Sequence, residues 1–426
     1  MKFNRRDFLK SFGTAVALSV TPGVIKANAP PKVIVVGGGF AGSTVARYLA
    51  MWSQQSIDVT LIDPSRGHTS CVMSNLVLNR QLNLKQLTFS HDALRGLGIT
   101  VVRDKVASIG NGGKSVILES GATLPCDKLV LAPGIDFKVL DGTDFNLTPH
   151  AWIAGSQTSL LASQVNSIRA GLTYIMTIPK APYRCPPGPY ERACVVADII
   201  MRKGFNGGDT KVIVLDENNG IQAEKDTFER AYSSLYQNIV EYIPNATIEA
   251  VDSIQKTIST SRGDFSADVM NIIPRHQAAE FVRNAGLTDA GDWALVDPLT
   301  YESTLAEFSG VHVIGDTQNT SQPKSAHMAN AQAKICADAI IRSLNGQSNF
   351  EQERIDNITT NSACYSPITF DQASWLTANY AYDPNSNQMS ATHVGEAEEW
   401  SKDNYEQMFD WAKNLFNDSF GVTLRT

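Results

Sequence analysis

The feature that most restricts the fold is Gly37-Gly38-Gly39-Phe40-Ala41-Gly42, set between an apolar strand over 32–36 and a helical pattern over 41–51. Gly37 allows a tight turn, Gly39 lets the backbone approach a pyrophosphate, and Gly42 lets helix and strand pack closely. The helix N-terminus then offers unpaired N–H groups to phosphates. A second strand over 57–62 ends at Asp63, 21 residues beyond Gly42, where a carboxylate can hold a ribose hydroxyl. A lone G-x-G-x-x-G says little. Strand before, helix after and an acid at this distance predict a dinucleotide-binding β-α-β unit.

A second junction of the same kind departs from that pattern. An apolar strand over 173–178 feeds a helix predicted over 190–203. An enzyme binding two dinucleotides would carry another glycine-rich loop there. This chain has Arg184-Cys185-Pro186-Pro187-Gly188-Pro189-Tyr190-Glu191-Arg192 instead. We read a flavoprotein without a nicotinamide site, holding a redox cysteine in its place. Other strands are predicted over 100–109, 114–118, 128–131, 211–215, 268–273 and 311–315. Helices are predicted over 156–170, 223–240 and 329–344, from hydrophobic spacing. The last helix carries Tyr405, Met408, Phe409, Ala412, Leu415 and Phe416 at helical spacing, which reads as a core stripe.

The first 29 residues read as an export signal. Asn4-Arg5-Arg6-Asp7-Phe8-Leu9-Lys10 is a twin-arginine signature, and Ala27-Asn28-Ala29 is a small-x-small cleavage site. Export as a folded protein to a bacterial periplasm is expected. Five basic residues and one acid leave with that leader, which takes the formal charge from -7 to about -11. An acidic surface argues against nucleic acid and suits a basic partner protein as well as plain solubility. No membrane span is expected, because no long apolar run follows the leader.

Several residues could carry chemistry. Gly315-Asp316 ends a strand, where the aspartate can accept hydrogen bonds from a ribityl chain; Lys324, in Lys324-Ser325-Ala326-His327, could lie beside a flavin ring. Cys71, shortly after Asp63, could attach a flavin as a thioether, although a buried inert cysteine fits the sequence as well. Among the six cysteines, Cys194 and Cys336 fall on apolar helical patterns, and Cys126 also reads as structural. Cys185 and Cys364 have turn-forming neighbours and are the expected pair. A bridge between them would close a very long loop and could simply stabilise; beside a flavin it could also accept a nucleophile and pass two electrons inward. Glu191 stands in the first helical turn, either to move a substrate proton or to complement the helix dipole. No C-x-x-C-H haem motif is present, and no metal is expected.

Together these residues resemble the flavoprotein subunit of flavocytochrome c sulfide dehydrogenase. The carrying motifs are Val35-Val36-Gly37-Gly38-Gly39, Thr69-Ser70-Cys71, Cys185-Pro186-Pro187-Gly188-Pro189-Tyr190-Glu191-Arg192-Ala193, Gly315-Asp316, Pro323-Lys324-Ser325 and Ala363-Cys364-Tyr365-Ser366. The resemblance covers essentially the whole chain after the leader. It implies an α/β, glutathione-reductase-like fold: two Rossmann-type nucleotide-binding domains plus a C-terminal interface domain. Expected boundaries are 30–150 and 281–350 for FAD binding, 151–280 for a second nucleotide-binding-like domain, and 351–426 for the interface domain. It also implies covalent FAD on Cys71, a redox disulfide of Cys185 and Cys364, Glu191 as the acid handling the substrate proton, and Trp411 near the flavin. The implied electron acceptor is a c-type cytochrome subunit, and the substrate a small inorganic sulfur compound. One departure is visible: His68 and Thr69 stand where the family often has aromatics.

The expected activity is sulfide oxidation with electrons passed to a cytochrome. A relative acting on a protein-bound sulfur carrier, or using another acceptor, is the alternative. The polar ending 404–425 speaks against a quinone reductase seated on a bilayer, and the retained cysteines and Glu191 against a subunit that only assembles partners.

Overall fold

The computed structural model describes residues 29–205, 209–422 and 424; the expected export signal over 1–29 lies outside the described residues, apart from its last position. Strand Lys32–Val36 is buried over four of its five residues and pairs in parallel with Asp58–Ile62 on one side and Lys128–Leu131 on the other. Thr100–Val102 and Val311–Val313 complete a five-stranded parallel sheet. Such strands read as continuous apolar runs because helices cover both faces. The covering helices include Phe40–Trp52, Ala326–Leu344 and Lys402–Phe420. Phe40, Phe89, Phe416 and Phe420 pack ring to ring and tie the last helix to the first.

A second parallel sheet runs in the order Val240–Pro244, Lys211–Asp216, Thr173–Ile178, Val269–Asn271. Helix Gly188–Arg202 packs beside it, with Tyr190 and Arg192 through Ile200 in its hydrophobic core or fully enclosed. Antiparallel strands Ile135–Lys138 and Arg275–Ala278 connect the two sheet regions. The third layer is an antiparallel sheet of Thr359–Pro367, Ala373–Asp383 and Gln388–Glu396. This is the α/β, glutathione-reductase-like arrangement expected.

Three local expectations are corrected. The strand predicted over 100–109 is two strands, Thr100–Val102 and Val106–Gly110, separated by polar Arg103-Asp104-Lys105. The helix predicted over 223–240 is only Lys225–Arg230 and one wide turn, Ala231–Leu235, before the Val240–Pro244 strand. There the Tyr236 hydroxyl donates to the Ile368 carbonyl at 2.7 Å, and the backbone then joins the edge of the second sheet. Pairing with Lys211–Asp216 outweighs the weak local helical preference. Finally, Cys364 lies mid-strand in the antiparallel sheet, opposite Leu376, and not in a turn.

Candidate functional site

The phosphate corner is built as its glycines require. Gly37 has φ +100°, and a Cβ there would meet the Ala132 carbonyl oxygen at 2.3 Å. A Cβ on Gly42 would come within 1.8 Å of the Gly37 oxygen. Gly39 differs: the nearest atom to its Cβ position is in the His68 ring, 3.6 Å away, so the corner in front of the Phe40–Trp52 helix is open. No side chain caps that helix, which leaves its N–H groups for an anion. Asp63 receives the Gly38 N–H at 2.6 Å and the Ser65 N–H at 2.7 Å, and lines a 630 Å³ cavity with Gly37. Gly315, at φ +73°, brings its strand end against Ala41, and its N–H donates to Gln332. Asp316 follows half-buried; burial pushes its carboxyl up, against the pull of Arg184 and Lys324. These features fit the FAD expected from the fingerprint.

A second cavity collects the cysteines. Cys71, Cys185 and Cys364 line it together with Glu191, His327 and Trp411. Cys185 is held at φ +59°, an uncommon conformation for a side-chain-bearing residue. Its N–H donates to the Lys324 carbonyl at 2.7 Å, and its carbonyl accepts from the Gly188 N–H at 2.9 Å. A Cβ on Gly188 would lie 2.8 Å from the Cys185 sulfur. The proline box thus sets the turn, and glycine leaves room for the thiol against the helix start.

All six cysteines are unbridged in the structure. Cys185 and Cys364, the expected pair, lie on one cavity. Burial, then repulsion from Cys364 and Glu191, raises the Cys185 thiol well above its usual range; burial pushes Cys364 up to about 12. Burial also raises Cys71. Cys126, Cys194 and Cys336 are buried away from this cavity.

Glu191 lies in the first turn of the Gly188–Arg202 helix. The dipole there favours a carboxylate by at most ~2 kcal/mol, whereas full burial shifts carboxyls by up to several pKa units. Burial wins, and Glu191 is pushed up to about 8 while accepting from Asn75 Nδ2 at 2.8 Å. Near neutral pH it is mostly protonated, so it donates before it accepts.

Lys324 is not free to approach a ring as a mobile cation. Its ammonium donates to the carbonyls of Asp316 at 3.0 Å and Gln318 at 2.6 Å, and sits 3.7 Å from the Trp293 ring centre. Burial brings it down to about 8. Trp411 projects from the last helix into the cysteine cavity, with its indole N–H buried and without a hydrogen-bond partner among the described residues. His68 is half-buried, stacked on Phe420 at 5.4 Å and edge-on to Phe40 at 5.3 Å. Burial pulls it down to about 3, so it serves as a neutral ring in an aromatic cluster.

Sequence reasoning missed Asn75 and Arg192. Arg192 is 2% exposed and donates to Asn75 Oδ1, Asn271 Oδ1 and the carbonyls of His150 and Ala151. Asn75 thus joins the Glu191 carboxyl to the Arg192 guanidinium. The available signal was the Arg beside Glu191 in the proline block, since a charge adjoining a helix start is seldom fully buried unless paired.

Residues 158–274 match the family described as the central part of the sulfide dehydrogenase [flavocytochrome c] flavoprotein chain, and residues 31–151 match pyridine nucleotide-disulphide oxidoreductase. The sulfide dehydrogenase [flavocytochrome c] flavoprotein chain of Chlorobaculum thiosulfatiphilum is 46% identical over 46 residues, covering 11% of this chain and 94% of that sequence. The mitochondrial sulfide:quinone oxidoreductase of Dictyostelium discoideum is 22% identical over 327 residues, 73% of this chain and 70% of that protein. Among solved structures, the sulfide:quinone oxidoreductase of Aquifex aeolicus superposes with a TM-score of 0.74 at 16% identity, covering 92% of each chain.

Proposed function

The chain belongs to the sulfide dehydrogenase and sulfide:quinone oxidoreductase family of FAD-dependent, sulfide-oxidising flavoproteins, and from that premise we propose that it passes its electrons to a c-type cytochrome. The observation that carries this choice is the Lys402–Phe420 helix. Its apolar side, with Met408, Ala412 and Phe416, is buried in the core, and Trp411 reaches the cysteine cavity. Its outer side carries Asp403, Glu406, Asp410 and Lys413, so it presents charge and no apolar patch for a bilayer. Among the described residues, no helix is long and apolar enough to cross a membrane. A basic cytochrome suits an acidic surface of this kind. The twin-arginine signature supports a periplasmic setting.

In this reading Cys185 and Cys364 cycle between a dithiol and a disulfide. Hydrosulfide attacks the disulfide: the S–S bond breaks, a persulfide forms on one cysteine, and the other leaves as a thiolate. Glu191, protonated near neutrality, gives that thiolate its proton, and Arg192 with Asn75 holds the carboxyl in place. FAD, when bound, supplies a two-electron acceptor that can also release electrons singly. Gly37, Gly39 and Asp63 would hold its adenosine and phosphates, Asp316 its ribityl chain, and Cys71 its ring covalently.

Cys185→Ser or Cys364→Ser should lower sulfide-dependent cytochrome reduction by at least ~10³-fold with flavin content retained, the loss expected for removing a nucleophile. Undiminished turnover would remove the pair from the mechanism, and faster reduction of a soluble quinone than of cytochrome would overturn the acceptor. The denatured mature protein should keep the mass of FAD, and Cys71→Ser should lose it.

A further inference from the structure

The Cys364 strand has a second side. A groove of about 500 Å³ runs over the C-terminal sheet and closes on Cys364; Glu224, Leu376, Tyr380 and Val394 are among its walls. Cys185 is not among them. At its inner end sits Glu224, which is 2% exposed and held at φ +49°. Ser366 Oγ donates to its Oε2 at 2.5 Å and Ser374 also stands against the carboxyl, while Oε1 is buried without a well-formed hydrogen bond among the described residues. A buried carboxyl oxygen left unpaired beside a cavity is costly unless something uses it.

We propose that this groove is the path by which hydrogen sulfide reaches Cys364, and that Glu224 takes the first proton from it. The assignment deepens the sulfide-oxidising reading and rests on it. H₂S gives a proton to the Glu224 carboxylate and becomes HS⁻. That sulfur bonds to Cys364 Sγ as the Cys364–Cys185 bond breaks, and the bonding pair leaves on Cys185. The substrate sulfur is oxidised, the disulfide is the oxidant, and the second proton stays on the terminal sulfur. Apolar walls of Leu376, Val394 and the prolines 186 and 187 favour the neutral molecule over its anion until it reaches the carboxyl.

The electrostatics suit this task. Burial pushes Glu224 up to about 7, with Glu396 across the groove adding to the rise. Glu191 and Cys194 on the Gly188–Arg202 helix, Cys364 on its strand, Tyr380 on the next strand and the neighbouring Lys225 are the other titratable groups around it. Burial raises both Glu224 and Glu191 into the neutral range, so each can exchange a proton near neutral pH.

The test uses the FAD-loaded protein. In Glu224→Gln, kcat/KM for sulfide should fall about tenfold at pH 7.5. The ratio of wild type to variant should rise with pH through about 7; taking the ratio cancels the ionisation of sulfide itself. Val394→Trp, at a position 60% exposed, should slow alkylation of Cys364 by iodoacetamide in the reduced protein at least fivefold, with Cys185 labelling and flavin absorbance unchanged. A pH-independent ratio, or unchanged Cys364 labelling, would overturn the proposal. If the wild type fails to oxidise sulfide, the parent reading falls instead, while the labelling result still decides whether the groove leads to Cys364.

Discussion

At the end of the Lys32–Val36 strand the chain reaches its helix through residues 37–39 alone, turning at Gly37 with φ +100°. At the end of the Thr173–Ile178 strand it runs through residues 179–187 and makes its positive-φ turn at Cys185. Each half then ends its next strand on an aspartate: Asp63 follows Asp58–Ile62, and Asp216 closes Lys211–Asp216. Asp63 is half-exposed on a cavity, and its acceptors are shared with backbone N–H groups beside the open phosphate corner. Asp216 is fully buried and accepts from the hydroxyls of Tyr190 and Tyr242, both at 2.8 Å, and from Asn218. The acid is the same, and its surroundings decide its use. Where a second nucleotide would lie, the tyrosines 183, 190, 232 and 242 form a packed, hydrogen-bonded block.

The largest effect should come from breaking the first half. In Gly42→Val a Cβ would be forced to within 1.8 Å of the Gly37 oxygen, so FAD content per folded protein should fall at least ~100-fold, read as flavin absorbance against protein absorbance. The matching change in the second half, Asp216→Ala, strands two buried hydroxyls at about 1–3 kcal/mol each. It should lower the denaturation midpoint while leaving FAD content per folded protein unchanged. Loss of FAD in Asp216→Ala equal to that in Gly42→Val would mean that the two halves do not divide their tasks in this way.

How much of this was legible in advance follows the same division. The first half could be read because glycine duties are local: Gly37 and Gly42 are fixed by backbone contacts within one β-α-β unit. The Cys185 block was legible as well, since three prolines around a cysteine leave few conformations. The neighbours of Cys364, Asn361-Ser362 and Ser366-Pro367, are turn-forming types, which hides the strand they belong to. Its strand exists only because Ala373–Asp383 pairs along its whole length. Lys324 was expected beside a flavin ring; its ammonium is held by carbonyls eight and six residues earlier in the chain and lies over the Trp293 ring. Asn75 and Arg192 meet across 117 positions of sequence, a contact no spacing rule can anticipate. Glu191 was recognisable as a candidate, but whether it would donate or accept depended on a burial that only the folded core imposes.

That burial gives the smallest expected effect, and one that separates the cysteine side of the molecule from the nucleotide side. Glu191 is pushed up to about 8 and Glu224 to about 7. A carboxyl with a raised folded pKa contributes stability that is full below its unfolded pKa and is lost as pH rises through the folded value. His68 and His150 work in the other direction: desolvation brings them down to about 3 and about 4, so their contribution is present above their unfolded pKa and is lost as pH falls. Between the ordinary carboxyl and imidazole ranges the two sets oppose each other. The histidines approach neutrality in both states as pH rises past about 7, and there the carboxyls carry the main change, opposed in part by Lys324, whose folded value is brought down to about 8. Ionising Glu191 in the unfolded chain alone, across about 1.5 pH units at about 1.4 kcal/mol per unit, costs roughly 2 kcal/mol of stability. The melting temperature should therefore fall by a few degrees from pH 6.5 to 8, and Glu191→Gln should remove most of that slope without altering FAD content. An equal slope in the variant would place the pH sensitivity elsewhere and would mean that Glu191 enters the folded state already ionised, leaving it no proton to give to the cysteine pair.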